Sequence, residues 1–149
     1  MANILPGAVF AYEFASRVHR DQIYHNPNGD EPYINHLFRV ACHFQDETLQ
    51  IIGLLHDILE DQSRYVNSIL LMQLFGIRIP AGVVTLTRLP GENYLEHFIP
   101  RIVINPDSAQ VKLADLDDNI MHCRGIPERQ SQLERYLKAQ AYIREHIYG

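Results

Sequence analysis

The sequence predicts an all-α fold, an irregular bundle of about seven or eight helices. Apolar residues recur at helical spacing along nearly the whole chain. Proline and glycine fall where helices start and stop. No run shows the period-two alternation of a strand or the turn chemistry of a hairpin. With 149 residues, 46% of them hydrophobic, the chain is long enough to bury a core, so one domain over residues 1–149 is expected.

The elements follow in order. Residues 6–20 place Ala8, Ala11, Tyr12, Ala15 and Val18 along one helical stripe. "HNPNGDEP", residues 25–32, gathers Pro, Asn and Gly and reads as a loop. Tyr33 to Phe44 repeats Ile34, Leu37, Phe38 and Ala41, and Glu47 to Asp61 reads as one continuous helix. "QSRYVNSILLMQLFG" ends in Gly76, a helix stop, and Pro80 is expected to open the next short helix. "RLPGEN" is a turn inside the domain. Three further helices are expected in "ENYLEHFIPRIVI", "PDSAQVKLADLDDNIMHC" and "PERQSQLERYLKAQAYIREHI", the last two introduced by Pro106 and Pro127.

Charge excludes some functions. A formal net charge of −5 without Lys/Arg runs argues against a protein that binds nucleic acid by neutralising many phosphates, so no nucleic-acid partner is expected. An anionic ligand would need a local cation. The first fifteen residues lack a basic segment, and no apolar stretch approaches the roughly 18 to 20 residues that span a bilayer. A cytoplasmic protein without a membrane partner is the expectation. Cys42 and Cys123 show neither CxxC spacing nor secretory context, so both are expected to be buried free thiols.

"LLHDILED", residues 54–61, sets four ionisable groups into an apolar run. On a helix, His56 with Glu60 and Asp57 with Asp61 are i,i+4 pairs, and Asp57 with Glu60 is i,i+3. Burying such carboxylates costs several kcal/mol per ion unless they are paired or bound to metal. Two further residues are equally out of place. "PYINHLFRVA" puts His36, and "VKLADLDDNI" puts Asp115, into apolar helical surroundings. Together His36, His56, Asp57 and Asp115 make a mixed imidazole and carboxylate set that suits a divalent first-row metal and leaves coordination positions open.

These blocks, in the order "GDEPYINH", "LLHDILED", "VKLADLDDN", resemble the HD superfamily of metal-dependent phosphohydrolases, and in wording are similar to the hydrolase domain of RelA/SpoT-type enzymes and their small stand-alone relatives. The resemblance implies an all-α HD-domain fold and a manganese-type ion, with iron, cobalt, nickel or zinc as alternatives. It also implies a small-molecule nucleotide substrate, hydrolysed at the 3′-pyrophosphate of guanosine tetra- or pentaphosphate. The positions matching His36, His56, Asp57 and Asp115 hold the metal in that family. Those matching Glu60 and Asp61 act on the attacking water, and the one matching Asn119 helps hold the nucleotide.

Glu60 and Asp61 alternatively end a helix, although acidic residues oppose the helix dipole there. Lys112, Arg20, Arg88 and Arg101 are candidate phosphate contacts, with surface ion pairs the competing role; Tyr94 is a candidate contact or a core residue. Asp117 and Asp118 read as a solvated face. The sequence departs from the family pattern in two places: Tyr24, His25 and Asn26 stand where a basic pair precedes the first block, and "KLADLDDNIM" stands for "KLADRLHNMR". A different nucleotide, cleaved as by a nucleotidase or phosphodiesterase, and a metal- or nucleotide-binding module without turnover therefore stand as alternatives. Pure metal binding has no need of Glu60 and Asp61, which favours an enzyme.

Overall fold

The computed structural model describes residues 3–149. A 3-10 turn, Pro6–Ala8, leads into α1 (Val9–Val18). After a short hairpin come α2 (Tyr33–Ala41), α3 (Glu47–Leu55), the single turn α4 (Ile58–Asp61), α5 (Ser68–Phe75) and α6 (Arg78–Thr85). A π-helical turn at Tyr94–Phe98 runs into α7 (Ile99–Ile102), and the long helices α8 (Pro106–Met121) and α9 (Gln130–Tyr148) close the chain. The all-α expectation holds.

At the centre lies α3. Asp46 caps it by accepting the Leu49 amide at 2.9 Å, and every residue from Gln50 to Leu55 is buried. It packs against α2 on one side and against α1, α6 and α8 elsewhere, while α9 lies on α8. Gly53 permits the close crossing with α2, because a Cβ there would stand 3.3 Å from the Ala41 Cα. The buried Gln50 spends its amide fully, accepting the Leu5 amide and donating to the carbonyls of Asn3 and Phe44. Buried apolar side chains from Ala8 to Ile143 join in one core.

Two local expectations need correction. The helix expected over residues 47–61 is broken: α3 stops at Leu55, and α4 begins at Ile58 after His56 and Asp57, whose φ values are −60° and −100°. Only residues 25–30 of the expected loop 25–32 are loop: Glu31 and Pro32 form β2, which pairs with β1 (Ile23–Tyr24) in an antiparallel hairpin. Strands of two residues are too short to show alternation. Helix α6 begins at Arg78 and carries Pro80 in its first turn as expected, where a missing N–H is tolerated. Gly76, at φ 80°, ends α5 as expected. Both cysteines are free; Cys123 is buried, Cys42 only partly. No helix among the described residues is long and apolar enough to cross a membrane.

Candidate metal centre and active-site cavity

The site begins at the break between α3 and α4. On an unbroken helix His56 and Asp57 would project about 100° apart; here His56 Nε2 lies 3.1 Å from Asp57 Oδ2. The break follows a local bond: His56 Nδ1 donates to the Gly53 carbonyl at 2.7 Å, which leaves the Nε2 lone pair facing Asp57. Helix α2 brings His36 and α8 brings Asp115 to the same point. Asp115 Oδ1 lies 3.0 Å from His36 Nε2 and 3.3 Å from His56 Nε2. One donor atom from each of His36, His56, Asp57 and Asp115 falls within 4.8 Å of all the others.

This donor set fits a divalent ion. His56 Nε2 is buried without a hydrogen bond although two carboxylates stand beside it, the arrangement expected when several lone pairs converge on a shared cation. The electrostatics agree. Burial lowers the His56 pKa, but Asp57 and Asp115 outweigh it and hold the imidazole well above its ordinary value. Burial would raise Asp115, yet Lys112 and His56 hold it well below the carboxylate range. Both shifts mean that the ionised carboxylates favour positive charge at this point, which a bound cation supplies.

A cavity of about 260 Å³ opens over the cluster. Glu60 and Asp61 stand on its wall outside the four-donor group. Glu60 Oε1 accepts the backbone N–H of Arg88 at 2.8 Å, and Asp61 Oδ2 accepts Gln22 Nε2 at 2.8 Å. Desolvation by the surrounding protein, together with Asp57, raises both carboxyl groups above their ordinary pKa values. Both groups are thereby made better proton acceptors. Tyr33 donates its hydroxyl to Asp57 Oδ2 at 2.6 Å and fixes that carboxylate from the same wall.

The expected substrate contacts separate. Lys112, Arg88, Tyr94 and Asn119 line the cavity. Lys112 Nζ lies 2.9 Å from Asp115 Oδ2 and over the rings of Tyr94 and Phe98. The amide of Asn119 is engaged at both ends, donating to Asp115 Oδ1 and accepting the Tyr24 hydroxyl, so it braces the Asp115 carboxylate. Tyr94 is buried, its hydroxyl without a partner. Arg20 and Arg101 are not among the lining residues. Arg20 is exposed and lies 3.6 Å from Asp21. Arg101 is consumed by the loop between α6 and the π-helical turn, donating to both carboxylate oxygens of Glu92 and to the carbonyls of Thr85 and Thr87.

Sequence reasoning missed three residues here besides Tyr33. Arg135, from α9, lines the cavity with its Nε buried and unpartnered and its guanidinium 5.0 Å from the centre of the Tyr94 ring; Tyr136 lines it as well. Neither sits in a recognisable motif. Asp118 is not solvated: it is 3% exposed and bonds the outer nitrogen of His36, whereas Asp117 does stay partly open and bonds Gln140. Its i+3 spacing from Asp115, which puts both on one helix face, was the available signal.

No protein-family model matches the chain, and no curated protein matches it. A solved structure of a metazoan ortholog of SpoT, described as hydrolysing ppGpp and playing a role in starvation responses, matches it with a TM-score of 0.77. The match covers 96% of this chain and 88% of the other at 22% sequence identity. A likeness at that identity speaks to architecture, and the chain has the all-α fold of the HD type.

Proposed function

We propose that the protein is a metal-dependent phosphohydrolase that removes the 3′-pyrophosphate of guanosine tetra- or pentaphosphate, or of a related nucleotide, with manganese as its ion. One observation carries this: two carboxylates that are not part of the donor set, Glu60 and Asp61, stand over four converging metal donors in an open cavity. A metal-binding module has no use for them. The fold shared with a protein described as hydrolysing ppGpp supports the choice of substrate.

His36, His56, Asp57 and Asp115 would hold the cation. When bound, it neutralises phosphoryl oxygens and lowers the pKa of water. Glu60 would accept the proton of the water that attacks the phosphorus bonded to the 3′ oxygen, and Asp61 would orient that water. The water oxygen bonds to that phosphorus, the P–O bond to the 3′ oxygen breaks, and the 3′ oxygen departs as a hydroxyl with a proton returned by the Glu60 carboxyl group, so that pyrophosphate is released. Arg88, Lys112 and Arg135 give the cavity a cationic wall that receives the phosphate charge. Lys112 is balanced by Asp115, so Arg88 and Arg135 are the lining cations without an ion pair among the described residues.

The test is a nucleotide panel with manganese, analysed so that pyrophosphate and orthophosphate are separated. Manganese-dependent pyrophosphate release from guanosine tetraphosphate is expected. Orthophosphate from a nucleoside monophosphate, or opening of a cyclic nucleotide, would replace this assignment with a nucleotidase or phosphodiesterase. Metal binding without turnover of any nucleotide would leave a binding module.

A further inference from the structure

We propose that Asp118, itself gripped by Arg39, is a positioning residue for the metal donor His36. The proposal rests on the metal-dependent function proposed above. Asp118 Oδ2 accepts the Nδ1–H of His36 at 2.7 Å. That bond fixes the tautomer and aims the Nε2 lone pair at the point shared with Asp57 and Asp115. Arg39 grips the same carboxylate through Nε at 2.7 Å and Nη2 at 3.1 Å, and its Nη2 also lies 2.6 Å from Glu31 on β2. The Tyr24 ring covers the face of His36 at 4.7 Å, with the planes only 7° apart. His36 is thus held at its edge by Asp118 and on its face by Tyr24.

The two histidines of the centre are supported unequally. Behind His56 stands a neutral backbone carbonyl. Behind His36 stands a carboxylate whose side chain is 2% exposed, and an anionic acceptor makes an imidazole the stronger donor to a metal. The family pattern quoted above has His at this position, so the carboxylate is a feature of this chain. The competing role is structural, an Arg39–Asp118 pair that only ties α2 to α8. The two roles differ in one respect: a tie lowers the stability of the metal-free protein, whereas a positioning residue also lowers the affinity of the folded protein for metal.

The experiment compares wild type, Asp118→Asn and Asp118→Ala as full chains. Manganese affinity is measured by competition with a chromophoric chelator, at a temperature where circular dichroism shows each to be folded, beside the metal-free Tm. Loss of such a support costs about 10- to 100-fold in affinity. Asp118→Asn, which keeps an acceptor, is expected near the lower end and Asp118→Ala near the upper. Asp117→Asn, which alters a bond to Gln140, should leave affinity unchanged. Wild-type affinity in both Asp118 variants, with Tm alone reduced, overturns the proposal. Should Asp118→Ala fail to fold, the Asn variant decides. Failure of the wild type itself to bind manganese would overturn the metal centre and this proposal with it.

Discussion

Replacing Glu60 by Gln separates proton transfer from everything else this side chain does. Gln keeps an Oε1 that can accept the Arg88 amide, so the tie between α4 and the following loop survives. Weakening that bond from charged to neutral costs about 1 kcal/mol. Against this, desolvation and repulsion from Asp57 and Asp61 raise the Glu60 pKa, so the folded protein already disfavours its charge. The amide escapes that penalty, and Tm should scarcely move. Metal affinity should also hold, because Glu60 lies outside the four-donor group. Only the base is lost, which predicts a fall in kcat of about 10²- to 10⁴-fold, or roughly 2.7 to 5.4 kcal/mol of barrier. Steady-state kinetics on guanosine tetraphosphate, a manganese titration and a thermal melt supply the three measurements. Asp57→Asn is the contrast, expected to lose metal and turnover together. Equal loss of metal in both variants would make Glu60 a ligand; unchanged kcat would leave the water to Asp61 and refute the role assigned to Glu60.

Four further outcomes are expected. Because the donors come from α2, the α3–α4 break and α8, manganese at about 100 times its Kd should stabilise the fold by about 2.7 kcal/mol and raise Tm by about 5 to 10 °C, reversed by chelation; identical melts with and without verified metal would contradict the site. Glu92 is held by the Arg101 guanidinium from 4.5 down to about 2, a depressed carboxyl group, so its contribution to stability is present above pH 4.5 and is lost as pH falls through about 2. Acid melts of Glu92→Gln should show a shallower loss across that window, and slopes equal to wild type would remove the latch. Introducing Arg at Tyr24 to restore a family-like cation should weaken manganese binding, since it removes the ring stacked on His36 and the bond to Asn119, while Arg135→Met should raise KM for the nucleotide more than it lowers kcat; unchanged affinity in the first variant or unchanged KM in the second would refute the respective assignment.

What the sequence determined by itself was the helical class and the four residues proposed as metal donors. Helical periodicity is local, and so is the oddness of a histidine or aspartate in an apolar run: His36, His56, Asp57 and Asp115 each carry a desolvation cost visible from their immediate neighbours. Gly76, which ends α5, and Pro106, which opens α8, act within a few residues and are legible for the same reason. The break at His56–Asp57 was not, because the apolar pattern runs through it and a tertiary convergence of three elements selects the bent form. The fate of each charge was equally hidden. Arg101 is captured by Glu92, Asp118 by Arg39 and His36 from another helix, and Arg135 reaches the cavity from α9 without an ion pair among the described residues. Which cation stays free to meet a phosphate depends on partners distant in the chain, and only the packed structure brings those partners together.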